Sequence, residues 1–514
     1  MNGASMRAVA GSWSVFVSSV FSGPCGAIAA GGLLVLLAAS GCGESEEASS
    51  NDDANMTVDS GNGSLDAVDT TSVPTDVTVD SGNGSSDAVD TTSVPIVSEV
   101  LTPETCPANS NRPGSGISAG NDLHRVTLDE YPNAVCNDGT PAIAYIRRAA
   151  TPAAESTWVI FLQFGGACQS WEICRDRWCS SNTSYDAARM SSRFAPEIAR
   201  ANGLLSRDAD NEFAAANQVL VYYCSSDQWT GRRGDVVLND PEGVGASYRL
   251  HFQGFSIIEA LDDALRGGLN SDDGAEVLPP LGDATRILFA GGSAGSAGQT
   301  HALDWWAGRY PDAEVVGFFD SSNDPVVDDI VNVAVATEFE SVLPARHDMV
   351  FSSLYDAHLD ESCMAAHEDS EPWLCSLGSH VRLNHITTPY FVRQDLRDPV
   401  TFNAFEQLGL SLEDYAVSLE ATMNRFPALL QTAEERDAMT RAPGVYVSNC
   451  EQHIVALNDG WFGLGANPAS VQNTDGTPIT VHNALAAWIN GETVNVLDTQ
   501  PSTRSRCVST TDDQ

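Results

Sequence analysis

RILFAGGSAGSAGQT, residues Arg286 to Thr300, joins a short apolar run to a serine set among glycines and alanines. Ile287 to Ala290 has the unbroken apolar character of a strand covered on both faces. Gly291-Gly292-Ser293-Ala294-Gly295 then matches G-x-S-x-G, and a small-residue segment leads into a helical stretch from Leu303 to Tyr310. A serine at a sharp strand-to-helix turn needs neighbours without bulk, because its backbone is strained and the helix must pass close behind it. In that setting the Ser293 hydroxyl stands at the top of a sheet as a nucleophile, and the Ala294 N–H faces a developing oxyanion. The same letters also describe an ordinary Gly/Ser loop in a chain with 42 glycines. The rest of the chain must therefore supply a base, an acid and a second oxyanion donor.

Working outward, Ala142 to Arg147, Trp158 to Phe164, Val219 to Tyr223, Val315 to Phe319, Pro389 to Val392 and Val445 to Val447 read as further strands. Gly254 to Leu265 has helical spacing, with Ile257, Ile258, Leu261 and Leu265 on one side. Strands separated by helical stretches predict an α/β fold: a three-layer sandwich around a mainly parallel sheet, with the site at the strands' C-terminal ends. Residues 326–380, a mixed region carrying Cys363 and Cys375, are the expected cap or insertion.

A serine hydrolase of this architecture presents nucleophile, acid and base in that chain order. His453 lies six residues past Val447, in a loop that Cys450 can pin, and is the preferred base. His301 is about two turns beyond Ser293 on the following helix, and His385 precedes its strand. Two aspartates contend for the acid. Asp398 follows the strand at 389–392 and fits the usual order; Asp320 directly follows the strand after the serine and can instead cap a turn or support the site floor. Asp395 and Asp324 are weaker alternates. Gly165-Gly166-Ala167, straight off a buried strand, is the source of the second oxyanion donor, with a plain turn as its other reading. Trp171, Trp229, Phe319 and Trp461 are candidates to line a substrate pocket, and core positions as their alternative.

At 514 residues the chain accommodates one large core with insertions and a tail, or two domains. Its 69 acidic residues outnumber 26 basic ones, a formal net charge of -43, and every basic residue is arginine. That excludes a catalytic lysine and a Walker-type phosphate loop, and argues against nucleic acid or an anionic membrane surface as partner. Gly31 to Ala39 is apolar but too short to span a bilayer, and residues 1–42 read as an export signal. Small residues before Cys42 resemble a bacterial lipoprotein processing site, which makes Cys42 the candidate lipidated residue. Residues 43–104 form an acidic linker in which Thr57 to Pro74 recurs at Thr78 to Pro95, changed only where Leu65 becomes Ser86. A repeat this polar cannot bury a core and is expected to be a disordered spacer. Residues 105–514 are then the catalytic domain. Ten cysteines beyond Cys25 and Cys42 read as up to five disulfides, with Cys363–Cys375 the easiest local pair and a zinc role for Cys168, Cys174 and Cys179 disfavoured.

Several of these segments resemble the pectin acetylesterase family, in its Notum-like carboxylesterase branch. The resemblance rests on Ala134-Val135-Cys136-Asn137-Asp138-Gly139-Thr140-Pro141, Gly165-Gly166-Ala167-Cys168, Tyr223-Cys224-Ser225-Ser226-Asp227-Gln228-Trp229-Thr230-Gly231, Ser293-Ala294-Gly295, Thr388-Pro389-Tyr390-Phe391 and Cys450-Glu451-Gln452-His453. They occur in order between Leu123 and Trp461. The resemblance implies an α/β-hydrolase-type fold without metal or organic cofactor and a Ser293–His453–Asp398 triad. It also implies O-acyl ester hydrolysis, with O-acetyl groups on pectin or another polysaccharide as the first expectation and a lipidated protein or small acylated molecule as further substrates. Phe164 stands where the first loop glycine is usual, Ala167 replaces the loop tryptophan, and Ser296 follows where glycine is common. The expected protein is a monomer, secreted or held at the cell envelope by a lipid anchor. Two rival readings are a non-catalytic surface lipoprotein that keeps the fold for binding, and a serine peptidase.

Overall fold

The computed structural model describes residues 98–100, 117–179, 187–243, 245–429, 439–462 and 479–498. The export-signal, Cys42 and repeat-spacer expectations lie outside these residues. Ser98–Val100, read from the sequence as spacer, instead adds a parallel strand beside Ser247–Phe252, which pairs antiparallel with Arg233–Leu238. A neighbouring backbone edge satisfies its N–H and C=O groups whatever the composition of the spacer.

Ten strands form the central sheet: β1 Ala119–Thr127, β2 Ile143–Arg147, β3 Thr157–Leu162, β4 Ile198–Ala199, β5 Asn217–Val221, β6 Arg286–Gly292, β7 Glu314–Asp320, β8 Tyr390–Asp395, β9 Gly444–Ser448 and β10 Asn495–Leu497. Their spatial order is β10-β9-β8-β7-β6-β3-β5-β2-β1-β4. The run from β10 to β5 is parallel, and β2, β1 and β4 complete the sheet antiparallel. The sequence reading missed β1, whose outer residues are exposed, and the short edge strands β4 and β10. Half-exposed and two- or three-residue strands carry little hydrophobic signal.

The parallel strands carry apolar runs such as Trp158–Leu162, Ile287–Ala290 and Val315–Phe319 because both faces are covered. Ile287 and Phe289 of β6 join one core with Trp158, Ile160 and Phe319, whereas Leu288 and Ala290 join the other with Phe161, Phe318 and Trp461. Each such fully buried aliphatic or phenyl side chain contributes about 1.5–3 kcal/mol relative to exposure. The first face is covered by α1 (Gly254–Arg266) and α2 (Ala294–Arg309), the second by α6 (Val481–Ile489) and short 3-10 turns. On α1 the predicted stripe Ile257, Ile258, Leu261 and Leu265 is buried. The result is an α/β-hydrolase-type three-layer sandwich.

Between β7 and β8 the chain leaves the sheet for a helical excursion through Val333–Arg346, a π-helical segment His347–Tyr355, α3 (Glu361–His367), a 3-10 turn Pro372–Ser376 and α4 (Gly378–Asn384). Three disulfides are Cys136–Cys224, Cys168–Cys174 and the anticipated Cys363–Cys375. Cys179 and Cys450 are disulfide-bonded as well. The chain builds outward from β3 in one direction through β5 and from β6 in the other through β7. Ligands of open α/β sheets bind at such a reversal, outside the strands' carboxyl ends, and there lie Gly165–Ala167 and Ser293.

Candidate active site

Ser293 has φ 49° and ψ −116°, a conformation L-residues avoid, between the last glycine of β6 and the first residue of α2. Two hydrogen bonds hold it there: its N–H donates to the Asp320 carbonyl at 2.8 Å, and its own carbonyl accepts from Ala297 at 2.9 Å. The helix starts at Ala294, earlier than the sequence reading placed it, because small residues let it run against the sheet. A Cβ on Gly295 would lie 2.0 Å from the Leu162 carbonyl oxygen, and one on Gly298 would lie 2.2 Å from Cβ of Trp229. Ser293 itself is half-buried, so its side chain has access to solvent.

His453 and Asp398 meet from two loops. The His453 Nδ1 is 2.7 Å from Asp398 Oδ2, with both side chains buried. Asp398 caps α5 (Pro399–Glu406): its Oδ1 accepts the Val400 N–H at 2.9 Å and the Thr401 N–H at 3.4 Å. The Gln394 amide donates to Oδ2 at 3.1 Å. The helix N-terminus and the amide thus point their donors at the Asp398 carboxylate. A carboxylate on Nδ1 directs the lone pair of a neutral imidazole to Nε2, the tautomer a general base requires.

Asp320, the rival acid, has a different task. Its Oδ2 accepts the N–H groups of Val455 and Ala456 at 2.9 and 2.7 Å, while its carbonyl holds Ser293. Arg393 completes this brace: it donates to Asp320 Oδ1 at 3.0 Å, to Ser321 Oγ at 2.5 Å and to the His453 carbonyl at 2.6 Å, and pairs with Asp395. Asp395 is thus tied to Arg393 and to Ser448, and Asp324 is exposed. Burial disfavours the Arg393 cation, but Asp395, Asp320 and Asp398 outweigh it and raise its pKa above the ordinary guanidinium value. Arg393→Met leaves two buried carboxylates without their cation, so we expect a loss of about 3–5 kcal/mol in stability, read from chemical denaturation midpoints. The signal that could have exposed Arg393 is a charge directly after the apolar run Tyr390 to Val392 of a parallel strand.

A Cβ built on Gly292 would lie 3.3 Å from Ile454 and 3.7 Å from Phe164, so a side chain there would meet both the His453 loop and the loop after β3. In that second loop Gly165 and Gly166 have φ 152° and 61°. The loop is fastened from outside: Tyr223 donates to the Gly166 carbonyl at 2.6 Å, Arg189 to the Phe164 carbonyl at 2.7 Å and Tyr355 to the Cys168 carbonyl at 2.8 Å.

A family model described as Pectinacetylesterase matches residues 118–508. The chain belongs to this family. It is 25% identical over 414 residues to the human palmitoleoyl-protein carboxylesterase NOTUM, covering 77% of this chain and 74% of that protein. It is 29% identical over 353 residues to notum1 of Xenopus laevis, covering 65% of this chain and 63% of the relative. The solved structure of the Wnt deacylase Notum from Drosophila matches with a TM-score of 0.53 at 23% identity, over 76% of this chain and 100% of that one. This likeness carries the fold. Membership of the pectinacetylesterase family supports a carboxylesterase-type hydrolase.

The pectinacetylesterase-type segments also account for residues the sequence reading left without a role. Asp227 accepts from Ser225 Oγ, Trp229 N–H and Gly254 N–H at 2.7, 3.0 and 2.7 Å, locking the start of α1 to the loop that carries Ala167. Trp229, Phe319 and Trp461 lie fully buried, Trp229 donating to the Gln163 carbonyl at 2.9 Å and Trp461 on the far face beside Phe318. Trp171 stacks on Tyr248 and donates to the Ala246 carbonyl at 2.8 Å. These four positions are core and scaffold contacts here. His301 is buried against His358 and Asp360, and burial, His358 and Arg382 lower its pKa to about 3. Among the described residues no helix is long and apolar enough to cross a membrane.

Proposed function

We propose that the chain is a serine carboxylesterase that hydrolyses O-acyl esters through an acyl-enzyme, with Ser293 as nucleophile, His453 as base and Asp398 as the acid that orients it. The observation that carries this reading is the 2.7 Å His453–Asp398 pair, in a loop held by the same Asp320 and Arg393 brace that accepts the Ser293 N–H. His453 takes the hydroxyl proton as Ser293 Oγ attacks the acyl carbonyl, then returns it to the departing alcohol; a water activated the same way releases the acid. N–H groups of Ala294 and of Gly165, Gly166 and Ala167 are the proposed donors to the tetrahedral oxyanion. Losing one such donor costs about 3–4 kcal/mol of transition-state stabilisation.

For the substrate we propose a short O-acyl group, O-acetyl first, on a polysaccharide. The family description points to acetylated pectin and the curated relatives to a palmitoleoylated protein. At a net charge of -43 a polyanionic polysaccharide meets repulsion unless salt or methyl esters screen it, so neutral acetylated polymers are the better fit. A fluorophosphonate probe tests the chemistry: we expect one adduct, on Ser293. Folded wild-type protein that takes no label overturns the enzyme reading. A p-nitrophenyl ester series from acetyl to long acyl chains then tests the substrate, with a maximum at the long chains rejecting acetyl.

A further inference from the structure

The helical excursion between β7 and β8 brings together three histidines that the proposed reaction does not use. His367 ends α3, His380 lies within α4 and His385 follows it directly. Nε2 of His367 and Nε2 of His380 are 3.3 Å apart, and the three ring centroids are separated by 5.2, 5.5 and 5.5 Å. One donor atom from each ring, together with Sγ of Cys363, falls within 4.8 Å of every other. Cys363 is committed to its disulfide with Cys375, so the candidate donors are the three imidazoles. Two nitrogens bound at 2.0–2.1 Å to one tetrahedral ion sit about 3.4 Å apart, so His367 and His380 already have that spacing.

We propose that His367, His380 and His385 form a binding site for a divalent first-row transition ion, with Zn2+ as its representative. Imidazole donors suit zinc, copper and nickel rather than magnesium or calcium. Three protein ligands leave a fourth position for water. A cavity of about 600 Å³ lined by His380, Asn384, Glu371 and Asp328 adjoins the cluster and supplies an entry path with negative charge. The Cys363–Cys375 bridge fixes α3 against the segment leading to α4, so the donors converge before any ion arrives. The Asn384 side-chain nitrogen lies 3.3 Å from His380 Nδ1 and donates to the His380 carbonyl at 2.9 Å. An ion on His380 Nε2 moves the ring proton to Nδ1, where an acceptor is wanted. Asn384→Asp supplies one and should tighten binding about tenfold.

The experiment uses the oxidised full chain, stripped with chelator and titrated with Zn2+ by calorimetry and with Co2+ by visible absorbance. We expect one ion per chain, a tetrahedral Co2+ spectrum, and at least a hundredfold weaker binding in His367→Ala/His380→Ala. Ser293→Ala should bind as wild type does. His385→Gln, with its fold checked by circular dichroism, serves if the double variant does not fold. Less than one ion per wild-type chain, or unchanged affinity in the folded histidine variants, overturns the proposal and leaves a hydrogen-bonded ring cluster.

Discussion

Ser293→Ala is expected to lower kcat for ester hydrolysis by about 10⁴- to 10⁶-fold, with little change in the thermal melt. The rate loss follows from removing the only protein atom in the proposed mechanism that forms a bond to the acyl carbon. Stability should hold because the contacts that keep residue 293 at φ 49° are made by its backbone, to the Asp320 carbonyl and from Ala297. Alanine meets the same steric objection to that conformation as serine, so the strain does not change. The oxyanion donors remain, and they set the residual rate above that of water. Steady-state kinetics beside a melting curve separate the two effects. A variant within tenfold of wild type would remove Ser293 from the mechanism and leave the fold assignment standing.

Asp398→Asn should reduce kcat by about 10⁴-fold and cost about 1–3 kcal/mol in stability, because the new amide also faces the buried Gln394 donor. Asparagine keeps an oxygen for the Val400 and Thr401 N–H groups, so the cap of α5 survives. Its amide nitrogen then faces His453 Nδ1, where Asp398 Oδ2 stood at 2.7 Å. A donor at that point forces the ring proton onto Nε2, and the imidazole can no longer accept a proton from serine. The variant also separates the two aspartates that sequence alone left in contention. If Asp320 were the acid, Asp398→Asn would leave kcat unchanged. Asp320→Asn is expected to act through the brace, by weakening its hold on Val455 and Ala456.

Much of the fold was legible because parallel strands covered on both faces must be continuously apolar. Trp158–Leu162, Ile287–Ala290 and Val315–Phe319 therefore announce themselves without neighbours. The strand-to-helix turn at Ser293 was legible for a local reason too, since glycines at 291, 292 and 295 are what such a close approach demands. The half-exposed β1 and the three-residue β10 were not, because their stability comes from the partner strand. The aromatic candidates could not be sorted for a similar reason: a buried tryptophan and a pocket tryptophan read alike until their surroundings are known.

What the amino-acid order determined by itself is the set of apolar strands, the tight serine turn, and the succession Ser293, Asp398, His453. Tertiary structure alone decided that Asp398 faces the imidazole while Asp320 clamps the loop behind it, that Arg393 answers two buried carboxylates, and that three separated histidines converge. The reason is physical. Strand patterning depends on near neighbours along the chain, whereas a charge or an imidazole acquires its role from whichever group the sheet order brings within a few ångströms.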